Sequence, residues 1–352
     1  MRYYVVADVH GFYLELQAAL TEKGFYEDKE PHKLVVCGDL LDRGDEALEL
    51  QEFILELLKK DEVILIKGNH EDLFLDLINN AEKWMTKANI YSTHHWRNGT
   101  IDAVLQLTGK DLQTSVLYPE DFKLKAKNTP FYKTIIPAMK DYYETNNYIF
   151  VHGWIPCAVM GRGIGTKDTF IYEENWREQG EDRWNKARWL NGMAAASCGV
   201  REPNKTIVCG HWHCSYGHAE LEGKGKEFDA DSDFSPYYAD GIIAIDACTA
   251  FSRKVNCIVI EDDIRFCKTL IRKYRTVSSF GYFFCIARQR FSLSSVLPWL
   301  WSSAYLVVNS LISDCFLLLA ISISRRTSAL TSKMFANTGR CEMSGAVLSH
   351  SH

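Results

Sequence analysis

The chain has 352 residues, of which 47% are hydrophobic and 24% are charged, and its formal net charge is −5 at pH 7. This composition excludes a wholly disordered chain, a collagen-like repeat and a membrane protein with many spans. Because the chain is slightly acidic, it has no chain-wide basic surface, and we expect no nucleic-acid partner. The 11 cysteines include no Cys-x-x-Cys pair, and no export signal precedes the first predicted strand. These features predict a cytoplasmic protein with free thiols.

The first 70 residues alternate between short apolar runs and amphipathic segments. Runs at 3–7, 33–37 and 63–66 predict strands, and apolar residues at helical spacing lie between them. Strand–helix–strand units of this length are typical of parallel strands joined by helices. Since the runs are apolar throughout, we expect both faces of the sheet to be covered. The chain therefore begins β-α-β-α-β, as an α/β protein.

The second half of the folded region contains four more predicted strands, at 148–151, 206–209, 241–245 and 255–260. Residues 72–147 separate them from the first three strands and are mostly helical in pattern. We interpret this segment as an insertion packed near the functional site. Loop segments in such positions usually determine which ligand binds. These elements together predict one folded domain over residues 1–275.

Residues 276–352 differ in composition from the rest of the chain. They hold 16 serines and six Lys or Arg residues, against two acidic residues. The apolar run at 296–321 is a weak membrane-anchor candidate, because about 20 apolar residues can span a bilayer. Asp314 and several hydroxyl groups lie inside that run and make insertion expensive. We therefore expect a poorly ordered tail.

Polar clusters follow five of the predicted strands, and in an open α/β sheet ligands bind at that edge. The residues that we expect to converge there are Asp8, His10, Asp39, Asn69, His152, His211 and His213. Carboxylates, imidazoles and an amide oxygen suit manganese, iron or zinc. The set is too large for one tetrahedral ion. Two ions about 3.5–4 Å apart, bridged by one carboxylate, would use it and would suit the hydrolysis of phosphate esters.

The clusters read Asp-x-His-Gly, Gly-Asp-x-x-Asp-Arg-Gly, Gly-Asn-His-Glu, His-Gly and Gly-His-x-His. In this order they resemble the calcineurin-like metallophosphoesterases. The Asp-Arg of the second motif resembles the phosphoprotein phosphatase branch, including bacterial-type serine/threonine phosphatases. The resemblance covers residues 1–260 and implies a sandwich of two sheets flanked by helices, with the site at the strand edges.

The resemblance also implies which side chains bind each of two divalent metal ions, with manganese expected and iron or zinc as alternatives. It places Asp39 between the ions and gives the first ion Asp8 and His10. The ligands that complete the second ion follow later strands: Asn69, His152 and His211. In the wider superfamily the second histidine of Gly-His-x-His reaches the first ion, which suggests His213.

The remaining candidates would act on the substrate. His70 follows the ligand Asn69 and can protonate the leaving group as general acid, with Asp42 orienting it. The planar fork of Arg43 suits two phosphate oxygens. Asn69 is also a candidate substrate contact. The family implies a second phosphate-binding arginine, for which we choose Arg188, with Arg162 and Arg183 as alternatives.

These residues predict hydrolysis of phosphate monoesters by direct attack of a dimetal-bound hydroxide. The expected substrate is a phosphoserine or phosphothreonine protein, and the alternative is a dinucleoside tetraphosphate. For that alternative, an aromatic side chain of the insertion could stack on a base of the substrate; the candidates are Trp84, Tyr91 and Trp96. A remote alternative is a non-catalytic scaffold that binds metal and phosphorylated partners.

Two further features have open or ordinary interpretations. His94 and His95 are adjacent in the insertion and are possible metal ligands, but no partner is evident nearby in the sequence, and we interpret them as part of a polar surface loop. Asp246 follows a predicted buried strand, and the sequence alone does not decide whether it supports the site or caps a loop.

Overall fold

Eleven strands and a set of mostly short helices make up the part of the chain that the computed structural model describes, residues 1–88, 90–160 and 169–262. The strands are β1 (Arg2–Val6), β2 (His32–Cys37), β3 (Val63–Ile66), β4 (Tyr143–Glu144), β5 (Tyr148–Phe150), β6 (Ala158–Met160), β7 (Thr169–Ile171), β8 (Thr206–Cys209), β9 (Tyr237–Ala239), β10 (Ile242–Ala244) and β11 (Ile258–Glu261).

The α-helices are α1 (Tyr13–Glu22), α2 (Ala47–Lys59), α3 (Asn69–Asn79), α4 (Ala81–Trp84), α5 (His94–Asn98), α6 (Thr100–Thr108), α7 (Leu112–Leu117), α8 (Pro119–Lys127), α9 (Ile136–Ala138), α10 (Glu181–Ala187), α11 (Gly192–Ser197), α12 (Cys214–Tyr216) and α13 (Thr249–Ser252). Short 3₁₀ helices cover Ile90–Ser92 and Trp176–Glu178, and single π-helical turns cover Phe131–Ile135 and Gly217–Leu221.

The strands form two main sheets, ordered β11-β1-β2-β3 and β4-β5-β8-β10-β9, and a separate hairpin of β6 and β7. In the first sheet β1, β2 and β3 are parallel, and in the second β5, β8 and β10 are parallel. The antiparallel strands β11, β4 and β9 lie at sheet edges. Parallel strands end at the same edge, which brings the loops that follow them together.

The two sheets pack against each other through strongly apolar strands. Val5 and Val35 of the first sheet share a buried cluster with Phe150 and Val208 of the second. A second cluster of buried apolar residues lies between the outer face of the first sheet and helices such as α2, and a third covers the outer face of the second sheet. In α2 the buried positions Leu50, Ile54 and Leu57 recur at helical spacing. The predicted α/β sandwich of two sheets flanked by helices is therefore confirmed.

Helices α4 to α9 lie within the predicted insertion 72–147, which ends with β4. The sequence analysis placed seven strands and missed the two- and three-residue strands β4, β6, β7 and β9, which are too short to show a period. Among the described ranges, no helix is both long and apolar enough to span a bilayer. The predicted boundary at residue 275, the tail 276–352 and its apolar run 296–321 lie outside the described residues.

Candidate active site and metal centre

The predicted metal ligands occupy loops that leave the parallel strands of both sheets. Asp8 follows β1, Asp39 follows β2, Asn69 begins α3 after β3, and His152 and His211 follow β5 and β8. Four of these five side chains are at most 1% exposed, and His211 is half-buried. The structure thus brings together, at one edge of the sandwich, residues that are up to 203 positions apart.

The loops hold several of these residues in a left-handed backbone conformation that residues other than glycine rarely adopt. Asp8, His10, Asp39 and His211 have φ values of 52°, 53°, 53° and 66°. Each such residue costs about 1–3 kcal/mol, and strain of this kind concentrates at functional sites. The sharp turns aim the ligand side chains inward, immediately after the strand ends.

The carboxylate of Asp39 lies between two groups of histidines. Its Oδ2 is 3.7 Å from His10 Nε2 and 3.9 Å from His70 Nε2. Its Oδ1 is 3.4 Å from His152 Nε2, and His211 completes the second group, with all ligand atoms of each group within 4.8 Å of one another. One carboxylate that offers one oxygen to each of two groups is the geometry of a bridging ligand.

Hydrogen bonds to backbone carbonyls determine which ring nitrogen carries the proton in three imidazoles. His10 Nδ1 donates to the carbonyl of Leu41 at 3.0 Å, and His152 Nδ1 donates to that of Cys37 at 2.8 Å. His211 donates in the same way to the carbonyl of Trp189. Burial lowers the pKa of all three rings, that of His211 to about 3, so they are neutral at pH 7. A neutral imidazole whose other nitrogen is held by an acceptor is the form that binds metals.

The contact between Asn69 and His152 shows that this donor set fits a cation. Asn69 Oδ1 lies 2.7 Å from His152 Nε2. Because His152 donates from Nδ1 and is neutral, its Nε2 is an acceptor, and the amide oxygen facing it is an acceptor too. In this orientation of the amide both facing atoms are acceptors, and a divalent cation bound to both would satisfy them.

Asp8 belongs to neither group of three, but its carboxyl group lies beside them. Its Oδ2 accepts the backbone N–H of His211 at 2.9 Å. Burial, together with the charges of Asp246 and Asp39, raises the pKa of Asp8 well above its usual value. Burial also raises the pKa of Asp246 to about 6. Asp246 is thus a buried neighbour of the site, and its Oδ1 also accepts the amide of Cys248 at 2.7 Å.

His70, Asp42 and Arg43 lie in contact at the edge of the centre. His70 Nδ1 donates to Asp42 Oδ2 at 2.7 Å, which turns Nε2 toward Asp39. Arg43 Nη2 donates to His70 Nε2 at 3.2 Å. Burial lowers the pKa of His70, but the charges of Asp39 and Asp42 outweigh it and raise that pKa above its usual value. The three side chains have the arrangement expected of a general acid, its orienting carboxylate and a phosphate-binding arginine.

Thr100 and Glu71 also support the site, and the sequence analysis did not identify either. Thr100 Oγ1 donates to Asp42 Oδ2 at 2.7 Å. The carboxylate of Glu71 accepts three backbone N–H groups, from Gly68, Asp39 and Leu40, and so joins two ligand loops. Burial and the charge of Asp39 raise the pKa of Glu71 to about 7. A glutamate three residues after Gly68, reaching back to its amide, is a capping pattern that the sequence does display.

Two predicted site residues have other partners. Arg188 is 2% exposed, and its two terminal nitrogens donate to Asp72, Asp141 and Glu181 at 2.7, 2.5 and 3.1 Å. Three protein carboxylates therefore occupy the guanidinium, which does not support the predicted phosphate contact.

His213 Nε2 lies 2.7 Å from Glu227 Oε1, and His213 is in neither histidine group around Asp39. Of the alternatives to Arg188, Arg183 is paired with Glu173 and Arg162 lies outside the described residues.

The interpretation of His94 and His95 as a polar surface loop is wrong. Both residues begin α5, and His95 is fully buried. Its Nε2 lies 3.0 Å from Asp76 Oδ2, and His94 Nε2 lies 3.8 Å from the same oxygen. The loop interpretation failed because the partner, Asp76 on α3, is 18 residues from His94 and 19 from His95 in the sequence.

The chain is similar to several known proteins. The model of the calcineurin-like phosphoesterase family matches residues 1–230. The asymmetrical bis(5'-nucleosyl)-tetraphosphatase PrpE of Bacillus subtilis is 27% identical over 219 residues, 58% of this chain and 82% of that protein. A symmetrical bis(5'-nucleosyl)-tetraphosphatase of Buchnera aphidicola is 38% identical over 71 residues, 20% of this chain and 24% of that protein. A solved protein serine/threonine phosphatase from Saccharomyces cerevisiae has a TM-score of 0.37 and 13% identity, covering 74% of this chain and 80% of that one.

Proposed function

The chain belongs to the calcineurin-like phosphoesterase family, and we propose that it is a two-metal hydrolase whose substrate is a bis(5'-nucleosyl) tetraphosphate. The family makes it a phosphoesterase. The substrate class is supported by the B. subtilis relative, which the chain matches over most of that protein's length. This reverses the order of the two substrate classes expected from the sequence.

The placement of Asp39 carries the proposal of a two-metal centre. Asp39, His10 and Asp8 would hold one divalent cation, and Asp39, Asn69, His152 and His211 the other. Manganese is the expected metal, with iron and zinc as alternatives. When bound, two such ions neutralise charge on the phosphate and lower the pKa of bound water.

The side chains at the edge of the centre would handle the substrate. The Arg43 fork binds phosphate oxygens, and His70 delivers a proton from Nε2 to the departing oxygen. A protonated Nε2 cannot accept the hydrogen bond from Arg43, so the acid form of His70 releases the guanidinium toward the substrate. Overall, water adds to phosphorus, the bond from phosphorus to the leaving oxygen breaks, and that oxygen leaves as a nucleotide phosphate.

A phosphoserine or phosphothreonine protein is the second candidate substrate. The contact of Arg43 with His70 favours it, because Arg43 belongs to the Asp-Arg motif that resembles phosphoprotein phosphatases. The chemistry at phosphorus is the same, but the leaving group is an alkoxide. That group needs a proton far more than a nucleotide phosphate does.

The test uses the full chain, stripped of metal and reloaded with Mn²⁺. We expect a higher kcat/KM for diadenosine tetraphosphate than for a phosphoserine/phosphothreonine peptide, and chromatography of the nucleotides shows whether cleavage gives ATP and AMP or two ADP. His70→Asn should slow the reaction. His32→Asn is the matched control, because His32 begins β2 at the end opposite Asp39. A preference for the peptide would establish the second candidate. Inactivity on both with metal bound would overturn the proposal in favour of the scaffold.

The cysteines support a cytoplasmic location as part of this proposal. Six cysteines in the described ranges, Cys37, Cys157, Cys209, Cys214, Cys248 and Cys257, are free, and five of these six are buried. Free thiols are typical of a reducing compartment.

A further inference from the structure

A series of aromatic rings leads away from the metal centre across the protein surface. It begins with Trp189 and the ligand His211, whose ring centroids are 5.8 Å apart. Trp212 follows at 6.0 Å from His211, and His213 stacks on Trp212 at 5.9 Å with an interplanar angle of 25°. Phe228 lies 4.4 Å from His213. Phe251 is 6.3 Å from Phe228 and completes the series, which we call the aromatic strip.

Three rings of the aromatic strip are open to solvent. Trp189 is 47% exposed, Phe228 57% and Phe251 59%. Trp212 and His213 between them are half-buried. Exposure of large aromatic side chains to water is unfavourable compared with burial. An exposed row of them beside a reaction centre therefore indicates a ligand-binding surface.

The aromatic strip ends at a cavity. Phe251 lines a space of about 550 Å³ together with Phe234 and Asn256. This volume is within the usual range for sites that bind small molecules. The aromatic strip thus connects the predicted phosphate-binding centre with a recess large enough for a nucleoside.

We propose that the aromatic strip is the nucleobase-binding surface of the enzyme, with the bases of a dinucleoside tetraphosphate stacked on the exposed rings of Trp189 and Phe228 while the phosphates lie at the metal centre. The inference rests on the proposed function and assigns the substrate's aromatic end to particular residues. Base stacking on aromatic side chains contributes substantially to affinity and tolerates any base. The row is continuous with His211, a predicted ligand of the centre, which fixes where the phosphates lie relative to the base.

The aromatic residues of the insertion are less suited to this role. Trp84 packs edge-on against His94 and His95, and Lys83 covers its ring at 3.9 Å. Tyr91 and Trp96 are exposed but lie edge-on to each other at 4.8 Å, and neither has a ring contact with a predicted metal ligand among the described residues. Trp96 therefore serves as the matched control.

The experiment measures kcat/KM of the Mn²⁺-loaded full chain for diadenosine tetraphosphate and for inorganic tripolyphosphate, which has no base. In Phe228→Ala and Trp189→Ala we expect the ratio of the two values to fall by about 5- to 100-fold, from the loss of one stacking contact. Trp189→Phe should recover most of the ratio, and Trp96→Ala should leave it as in the wild type. Melting temperatures identify any variant that fails to fold.

The outcomes separate this inference from the proposed function. If the wild type cleaves diadenosine tetraphosphate and the ratio is unchanged in both Phe228→Ala and Trp189→Ala, the aromatic strip does not bind the base. A ratio that falls in Trp96→Ala instead would place the base on the insertion and also overturn the inference. If the wild type cleaves tripolyphosphate but not the dinucleotide, the substrate proposal itself fails.

Discussion

Thr100 Oγ1 donates a 2.7 Å hydrogen bond to Asp42 Oδ2, the same oxygen that accepts from His70 Nδ1. Thr100 begins α6 within the insertion, so the insertion takes part in orienting the predicted general acid. The backbone at Gly99, immediately before Thr100, also lies close to Arg43. A Cβ on Gly99, which has a φ of +82°, would lie 2.5 Å from the amide nitrogen of Arg43. The insertion therefore supports the Asp42–Arg43 turn directly.

Thr100→Val should lower kcat for a phosphate monoester by about 3- to 10-fold and leave KM and metal content unchanged. The isosteric change removes one hydrogen bond to a charged acceptor, and its effect reaches the substrate only through Asp42 and His70. Steady-state kinetics and metal analysis provide the check. Thr108→Val is the control, since that hydroxyl bonds to the carbonyl of Val104 within α6. A higher KM with unchanged kcat would contradict the positioning role of Thr100.

His70→Asn should keep its metal and slow hydrolysis by an amount that depends on the leaving group. We expect a loss of about 10²- to 10⁴-fold on a phosphoserine peptide, the usual contribution of a general acid. The loss on diadenosine tetraphosphate should be smaller, about 10-fold, because a phosphate leaving group departs without full protonation. Rates on both substrates, with metal content measured in parallel, test this. Equal losses on the two substrates, or loss of metal, would remove the acid role.

Glu144 should contribute to stability above pH 4.5 but not in strong acid. Hydrogen bonds from Arg177, with Lys205 nearby, lower its pKa from 4.5 to about 2. Because the folded-state pKa is lowered, the contribution is complete above the unfolded-state value and disappears as the pH falls toward 2. Glu144→Gln should therefore reduce the free energy of unfolding at pH 7 by about 1–2 kcal/mol.

Urea unfolding of the wild type and Glu144→Gln across pH 2–7 measures that difference. It should be constant near neutral pH and shrink between pH 4.5 and 2. A difference that does not change with pH would mean that the ion pairs with Arg177 and Lys205 contribute nothing.

The sequence predicted the convergence of the candidate ligands at one sheet edge, because they follow strands that are themselves easy to recognise. Asp8, Asp39 and His152 each come directly after a run of β-branched and aromatic residues, and parallel pairing brings the strand ends together. The local sequence pattern was enough to predict these positions, because parallel pairing of the strands determines that their ends meet.

The contacts that the sequence did not predict lie between separate segments of the chain. Arg188 is occupied by three carboxylates from three different places in the chain, and its Trp-rich neighbourhood gave no sign of them. His95 is buried because α5 packs near Asp76 of α3. Thr100 belongs to no motif. Such partners are set by tertiary packing, which a periodic pattern does not encode.

The most direct test of the central claim is the metal content of Asp39→Asn beside that of the wild type. The full chain, stripped and reloaded with Mn²⁺, is examined by elemental analysis, with Asp240→Asn as control because Asp240 forms an exposed ion pair with Arg201. If Asp39 bridges two ions, the wild type and the control should bind about two more Mn²⁺ per chain than Asp39→Asn, which should also be inactive. Equal metal content in Asp39→Asn and wild type would contradict the shared two-metal centre.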